Sequence, residues 1–149
     1  MRAITLEEAV GIIDGAIERA IETACKPLSI IVLDAGGQIK AFKNQDHTAN
    51  ARFEIAYGKA NVSLLLGRSS KLALRKYKEK PQFMECLTSL NKGPIFLEGG
   101  GQLIRDNDGE VIGAIGITGD VNEKDDDCAI FGIHSRGLKA DSDFDWTKK

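Results

Sequence analysis

The chain reads as an α+β domain: helices covering one antiparallel sheet of five strands. Three observations predict it. Helical periodicity opens the chain, β-branched runs come in pairs joined by short glycine or Asx turns, and strand pairs and helical segments alternate in blocks rather than as βαβ units.

The opening helix starts at Thr5-Leu6-Glu7-Glu8, a capping box in which the Thr5 hydroxyl accepts from the Glu8 amide and the Glu8 carboxylate reaches back. Leu6, Ala9, Val10, Ile13, Ile17, Ala20, Ile21 and Ala24 follow at helical spacing, predicting one apolar stripe. Lys26-Pro27 ends the helix, because proline disfavours α geometry in the residue before it. Leu28 to Leu33 is a buried strand by its β-branched content, and Asp34-Ala35-Gly36-Gly37 is turn chemistry. Gln38 to Lys43 alternates polar and apolar, completing a hairpin.

From Asn50 to Leu66 the pattern is helical, with Phe53, Ala56, Tyr57, Ala60 and Leu64 on one side and Gly67 closing it. Ser69 or Ser70 caps a further helix carrying Leu72, Leu74 and Tyr77, and Pro81 opens another through Leu90. Ile95-Phe96-Leu97, Gln102-Leu103-Ile104 and Val111 to Ile117 then predict a three-stranded meander, its last turn formed by Asp106-Asn107-Asp108-Gly109. Asn122 caps the final helix, whose first turn holds Glu123, Asp125, Asp126 and Asp127 at the positive end of its dipole. Residues 1–138 are read as one domain and 139–149 as a loose polar tail.

The 149 residues carry 20 Lys plus Arg against 22 Asp plus Glu, a formal charge of −2, which argues against a phosphate-neutralising nucleic-acid protein and a polybasic membrane module. No run reaches the length of a membrane span, and the first residues lack a signal-peptide core, so a cytoplasmic location is expected. Cys25, Cys86 and Cys128 are odd in number and far apart, which disfavours a disulfide framework or a zinc site; all three read as buried core thiols.

Common catalytic motifs are absent. Gly113-Ala114-Ile115-Gly116-Ile117-Thr118-Gly119 lies within a strand and is not a dinucleotide fingerprint, and Gly99-Gly100-Gly101 lacks the Lys and Ser/Thr of a phosphate loop. No serine occupies a nucleophile elbow. His47, beside Asp46 and Thr48 after the second strand, is the candidate metal or haem-iron ligand or general base, against its reading as a solvated loop residue. His134, among Ile130, Phe131 and Ile133, reads as a packed or interface histidine. Lys59 or Arg68 could hold a carboxylate if turned toward a cleft, although a solvated lysine is the commoner arrangement.

Five segments in order carry a family resemblance: Asp34-Ala35-Gly36-Gly37 with Asp46, Ala56-Tyr57-Gly58-Lys59-Ala60, Gly67-Arg68-Ser69-Ser70, Gly99 to Ile104, and Gly113 to Gly119 with Glu123-Lys124-Asp125. From about residue 5 to about Gly137 the chain resembles the GlcG/HbpS family of haem-binding or haem-interacting proteins, related to the C-terminal domain of a cobalamin adenosyltransferase. The resemblance implies a profilin-like α/β/α sandwich with a five-stranded antiparallel sheet. It also implies a homo-oligomer, a dimer or ring of dimers, and haem or another tetrapyrrole as ligand.

Carried onto this chain, the ligand residues would be Asp46, His47, Thr48, Lys59, Arg68, Gly99, Gly100, Gly101 and Asp125, with His47 or an oxygen such as that of Thr48 on iron. Where the family usually has Arg-x-Asp-Gly-Ala, this chain has Asn44-Gln45-Asp46-His47-Thr48. Leu103 replaces a proline, and Thr118-Gly119-Asp120 replaces Ser-Gly-Gly. Two further readings stand beside the haem-binding one. One is an enzyme acting on an organic acid or diol-pathway metabolite, with His47 or Asp125 moving a proton and glycine amides binding an anion. The other is a ligand-free structural oligomer.

Overall fold

The computed structural model describes residues 2–144. Helix α1 (Leu6–Glu22) begins with the expected capping box: Thr5 Oγ1 accepts from the Glu8 amide at 3.0 Å, and the Glu8 carboxylate accepts from the Thr5 amide at 3.0 Å. Strands β1 (Ser29–Asp34) and β2 (Ile39–Asn44) form the hairpin, followed by α2 (Arg52–Leu66), α3 (Ser70–Glu79) and α4 (Pro81–Ser89). Strands β3 (Gly101–Arg105) and β4 (Val111–Thr118), helix α5 (Asn122–Ser135) and a 3-10 turn at Asp141–Asp143 complete the order.

The sheet is antiparallel, in the order β2-β1-β4-β3, so β1 and β4 are its central strands. Helices α1 and α5 cover one face, where Ile12, Ile13 and Ile133 pack with Ile30, Val32, Ile115 and Ile117. Helix α2 covers the other, where Ala56 and Ala60 meet Ile31, Leu33, Leu103 and Ala114. Strands β1 and β4, buried on both faces, lack the alternation of a half-exposed strand.

The sheet has four strands rather than the expected five. Residues 95–97 do not join it, because their partners lie on the helical layer. Ile95 and Phe96 run against Gly58 on α2, so closely that a Cβ there would lie 2.8 Å from the Phe96 amide nitrogen. The side-chain amide of Asn61 donates to the Lys92 and Pro94 carbonyls at 3.0 and 2.9 Å, and Ser70 Oγ donates to the Glu98 carbonyl. Side chains thus satisfy backbone groups that a sheet edge would otherwise pair. Ile95 and Leu97 pack with Val62, Ala73 and Met84 in a small third cluster.

The buried stripe of α1 is rotated from the expected one. Ala9, Ile12, Ile13, Gly15, Ala16 and Ala20 face inward, whereas Leu6 and Ile21 are exposed. Small residues set this rotation: Gly15 lies against Gly132 of α5, and a Cβ on Gly132 would strike the Ile12 carbonyl. Neither Ser69 nor Asn122 caps its helix through a side chain; Val121 is the N-cap residue of α5 and Asn122 its first residue.

Residues 139–144, expected to be a loose tail, are tied down. Lys139 bridges to Arg105, Arg105 pairs with Asp141 at 2.7 Å, and Ala140 is buried in the core. The rest of that segment, 145–149, lies outside the described residues. His134 is exposed rather than packed, with Nε2 2.7 Å from the Asp143 carboxylate. Cys86 is exposed rather than buried, while Cys25 is half-buried and Cys128 buried.

Candidate functional site

Antiparallel pairing brings the candidate loops to one end of the sheet. Asn44 is opposite Ser29, Ser29 is opposite Thr118, and Gly101 is opposite Gly116. The segment after β2, the glycines before β3 and the start of α5 therefore share that end. With strands about 4.8 Å apart, the β2 end lies roughly 14 Å across the sheet from the glycines.

The most densely organised cluster forms where α2, the triple glycine and α5 meet. Lys59, buried at 1 % exposure, places Nζ 2.9 Å from the Ile117 carbonyl and 3.4 Å from Asp125 Oδ2. Asp125 is itself fully buried and accepts the Asp120 amide at 3.2 Å through its other oxygen. Burial pushes the Asp125 carboxyl up to about 7, against the opposing pull of Lys59; burial lowers Lys59, against the opposing pull of Asp125.

Glycine is required here by contact. A Cβ on Gly100, whose φ is +115°, would collide with the Ile117 carbonyl and approach Lys59 Nζ to 3.0 Å. One on Gly101 would strike the Lys59 carbonyl. The glycine amides are already engaged: Gly100 donates to Asp126 Oδ1 at 2.9 Å, and Gly101 donates to Ser70 Oγ at 2.8 Å. Gln102 Nε2 also donates to Asp126 Oδ1, at 2.8 Å. These bonds leave neither amide available as an anion donor in this conformation.

Of the nine residues expected at a ligand site, the structure brings together Lys59, Gly99, Gly100, Gly101 and Asp125. Lys59 is not the solvated helix-face lysine that its type favours, and Asp125 does more than complement a helix dipole. The Lys59 ammonium faces Asp125, and its side chain is 2 % exposed.

Asp46 and His47 are exposed in a turn, His47 in the left-handed region at φ 72°, and Thr48 is half-buried. Arg68 is also exposed, but lies past the opposite end of α2, a 15-residue helix roughly 22 Å long. Arg68 and residues 46–48 therefore cannot grip one small ligand between them. Arg68 instead borders a groove of about 320 Å³ lined with Leu66, Leu72, Arg75, Lys76 and Phe83.

Sequence reasoning passed over Asp126, Ser70, Gln102 and Arg52, which donates to Thr118 Oγ1 at 2.6 Å. No sequence signal separated Asp126 from the neighbouring acids at the start of α5. Among the described residues, no three His, Cys, Asp or Glu side chains gather as a metal site, and no helix is long and apolar enough to cross a membrane.

A four-stranded antiparallel sheet between helical layers, latched at one end by a buried Lys–Asp pair over three glycines, defines a small α+β sandwich domain. Residues 4–134 match the family model described as haem degrading protein HbpS-like, and the chain belongs to that family. No curated protein matches the sequence.

Among solved structures, a PduOC:heme complex is 22 % identical with a TM-score of 0.80, over 93 % of this chain and 98 % of that one. The Klebsiella pneumoniae protein ORFY is 23 % identical with a TM-score of 0.79, over 92 % of both chains. A double mutant of Streptomyces reticuli HbpS is 19 % identical with a TM-score of 0.77, over 90 % of this chain and 87 % of that one. At these identities the likeness establishes the shared fold.

Proposed function

We propose that the protein binds haem or a closely related tetrapyrrole in the cytoplasm, as a homo-oligomer. Membership of the HbpS-like family over residues 4–134 carries this reading, and a structure of the same fold described as a heme complex supports it. The family resemblance supports the homo-oligomer, as a dimer or ring of dimers.

The chain offers one histidine suited to iron. His47 is exposed and forms no hydrogen bond or ion pair among the described residues, so a ring nitrogen is available, and Thr48 Oγ1 is the adjacent oxygen donor. Residues 45–51 link β2 to α2, whose Phe42 and Phe53 rings meet edge to face at 4.9 Å beside half-buried Tyr57. Those rings supply apolar surface for a macrocycle, and Arg52, the first residue of α2, is the cation that follows residues 46–48 most closely in sequence. Bound haem would supply iron-centred ligand or redox chemistry. The contribution of this chain is an imidazole, an aromatic wall and a rigid sheet end.

The Lys59–Asp125 pair, sealed from solvent, supports that rigid end rather than a proton-transfer step on a substrate. Adding hemin to the purified protein should develop a Soret band that His47→Ala loses. No spectral change with the unaltered protein would overturn the haem reading, and an unchanged band in the variant would remove His47 from the site. Light scattering should show an assembly larger than one 16.2 kDa chain.

A further inference from the structure

The 103-residue sequence separation that makes Cys25 and Cys128 look unrelated is closed by the fold. Helix α1 ends at Glu22, and the chain reverses through Ala24 at φ 54°, which delivers Cys25 to the flank of α5. Cys128 lies on the buried side of α5, and the two Sγ atoms are 3.9 Å apart. Thr23 Oγ1 lies 3.3 Å from Cys25 Sγ on the other side. Closing to a disulfide length of about 2.05 Å needs a sulfur approach of roughly 2 Å. Cys25 sits in a connecting segment rather than a helix, so it can make most of that movement.

We propose that Cys25 and Cys128 form a peroxide-responsive dithiol that closes to an intramolecular disulfide. Cys25 is the half-buried member and meets the oxidant; Cys128, fully buried, resolves the product. The Cys25 thiol sulfur attacks hydrogen peroxide, breaking the O–O bond and forming S–OH. The thiol proton leaves with the departing oxygen as water. The Cys128 sulfur then displaces the hydroxyl from Cys25, and the Cys128 proton leaves with it as a second water. Two thiols are oxidised by the two electrons that reduce the peroxide.

Burial and the neighbouring Cys25 push the Cys128 thiol up to about 12, which protects it from direct oxidation and assigns first attack to Cys25. The bond would clamp the segment after α1 onto α5, three residues beyond Asp125. The redox state of the pair therefore bears on α5, the helix that carries Asp125, the partner of Lys59.

Cys86, exposed on α4, would react independently and is removed first. In Cys86→Ser, hydrogen peroxide should reduce the thiols titratable after denaturation from two to none. Non-reducing electrophoresis should show monomeric chains, and peptide mapping should recover a Cys25–Cys128 linked pair that dithiothreitol releases. In Cys25→Ser/Cys86→Ser the Cys128 thiol should remain titratable after the same treatment, with the thermal melt confirming a folded protein. Two titratable thiols in peroxide-treated Cys86→Ser, sulfinic acid on Cys25 beside a reduced Cys128, or loss of the Cys128 thiol in the double variant would each overturn the proposal.

Discussion

Lys59 on α2 and Asp125 on α5 form an ion pair of 3.4 Å between side chains 2 % and 0 % exposed, although their helices cover opposite faces of the sheet. The pair passes around the β4 end, where Lys59 also donates to the Ile117 carbonyl. Both partners lose hydration there, so the arrangement holds only because the remaining polar atoms are bonded. Above pH 7, where the Asp125 carboxyl is ionised, Asp125→Ala should cost about 3–5 kcal/mol, since it leaves a buried ammonium uncompensated. Replacing both residues, as Lys59→Met/Asp125→Leu, should cost less than Asp125→Ala alone. Urea unfolding of the three proteins measures the difference; a double variant less stable than Asp125→Ala would contradict the cost assigned to the unpaired ammonium.

Stability should also depend on pH through Asp125. Its carboxyl titrates at about 7 in the folded chain against 3.8 in its ordinary state, so the folded form retains a proton over that interval. The contribution of Asp125 is therefore complete below about 3.8 and is lost as pH rises toward 7. Lys59, lowered by burial, works in the opposite sense: its contribution is present above its ordinary value of 10.5 and is lost as pH falls through its folded value. The stability of the native protein relative to Asp125→Asn should thus fall between pH 4 and pH 7, by on the order of 2–4 kcal/mol. A difference that is flat across that range, in parallel denaturant titrations, would contradict the assigned protonation.

The α1 start should titrate in the other direction. The Arg2 guanidinium, 2.7 Å away, together with the Thr5 amide and hydroxyl, holds the Glu8 carboxyl down at about 2 against an ordinary 4.5. A lowered carboxyl adds stability above its ordinary value and loses it as pH falls toward 2. Glu8→Gln should remove part of the acid-limb slope between those values. Thr5→Ala, which deletes the other half of the box, should cost about 1 kcal/mol at neutral pH, a fall in Tm of roughly 2–4 °C.

Much of the fold was legible because local chemistry determines it. The Thr5 capping box, the hairpin turn at Asp34–Gly37 and the Asx turn in which Asp106 accepts from the Asp108 and Glu110 amides need only short-range bonds. The missing fifth strand was not legible, because Ile95-Phe96-Leu97 has strand composition while its location depends on Asn61 and Ser70, far away in sequence. The α1 rotation depended likewise on the Gly15–Gly132 contact. At the site, Lys59, the triple glycine and Asp125 were named from residue type and resemblance. Their mutual burial, and the bonds that Asp126 makes to Gly100 and Gln102, required the folded chain. The cysteines misled most, since a sequence separation of 103 carries no information about a 3.9 Å contact.

Gly116 tests the closeness of the α2 layer. It sits in the middle of β4 beneath α2, and a Cβ there would collide with the Ala56 carbonyl and lie 3.0 Å from the Ala60 amide nitrogen. The α2 backbone cannot yield by a rotamer change, so Gly116→Ala should cost about 3 kcal/mol or more. Gly67→Ala meets nothing within 4 Å and bears only the strain of φ 68°, so it should cost about 1 kcal/mol. Equal costs by chemical denaturation would mean that α2 moves freely off the sheet.

His47 separates folding from ligand binding. A histidine at φ 72° tolerates the left-handed region better than a β-branched residue but less well than glycine. Its side chain makes no bond among the described residues that would offset the strain. His47→Gly should therefore stabilise the protein by up to about 1 kcal/mol, visible as a higher Tm. If the imidazole is kept there to hold iron, the same variant should lose the hemin Soret band while melting later than the native protein. A variant that melts earlier would show that the side chain serves the fold. One that melts later and retains the full hemin spectrum would move the iron ligand elsewhere, with the Thr48 hydroxyl the next to be replaced.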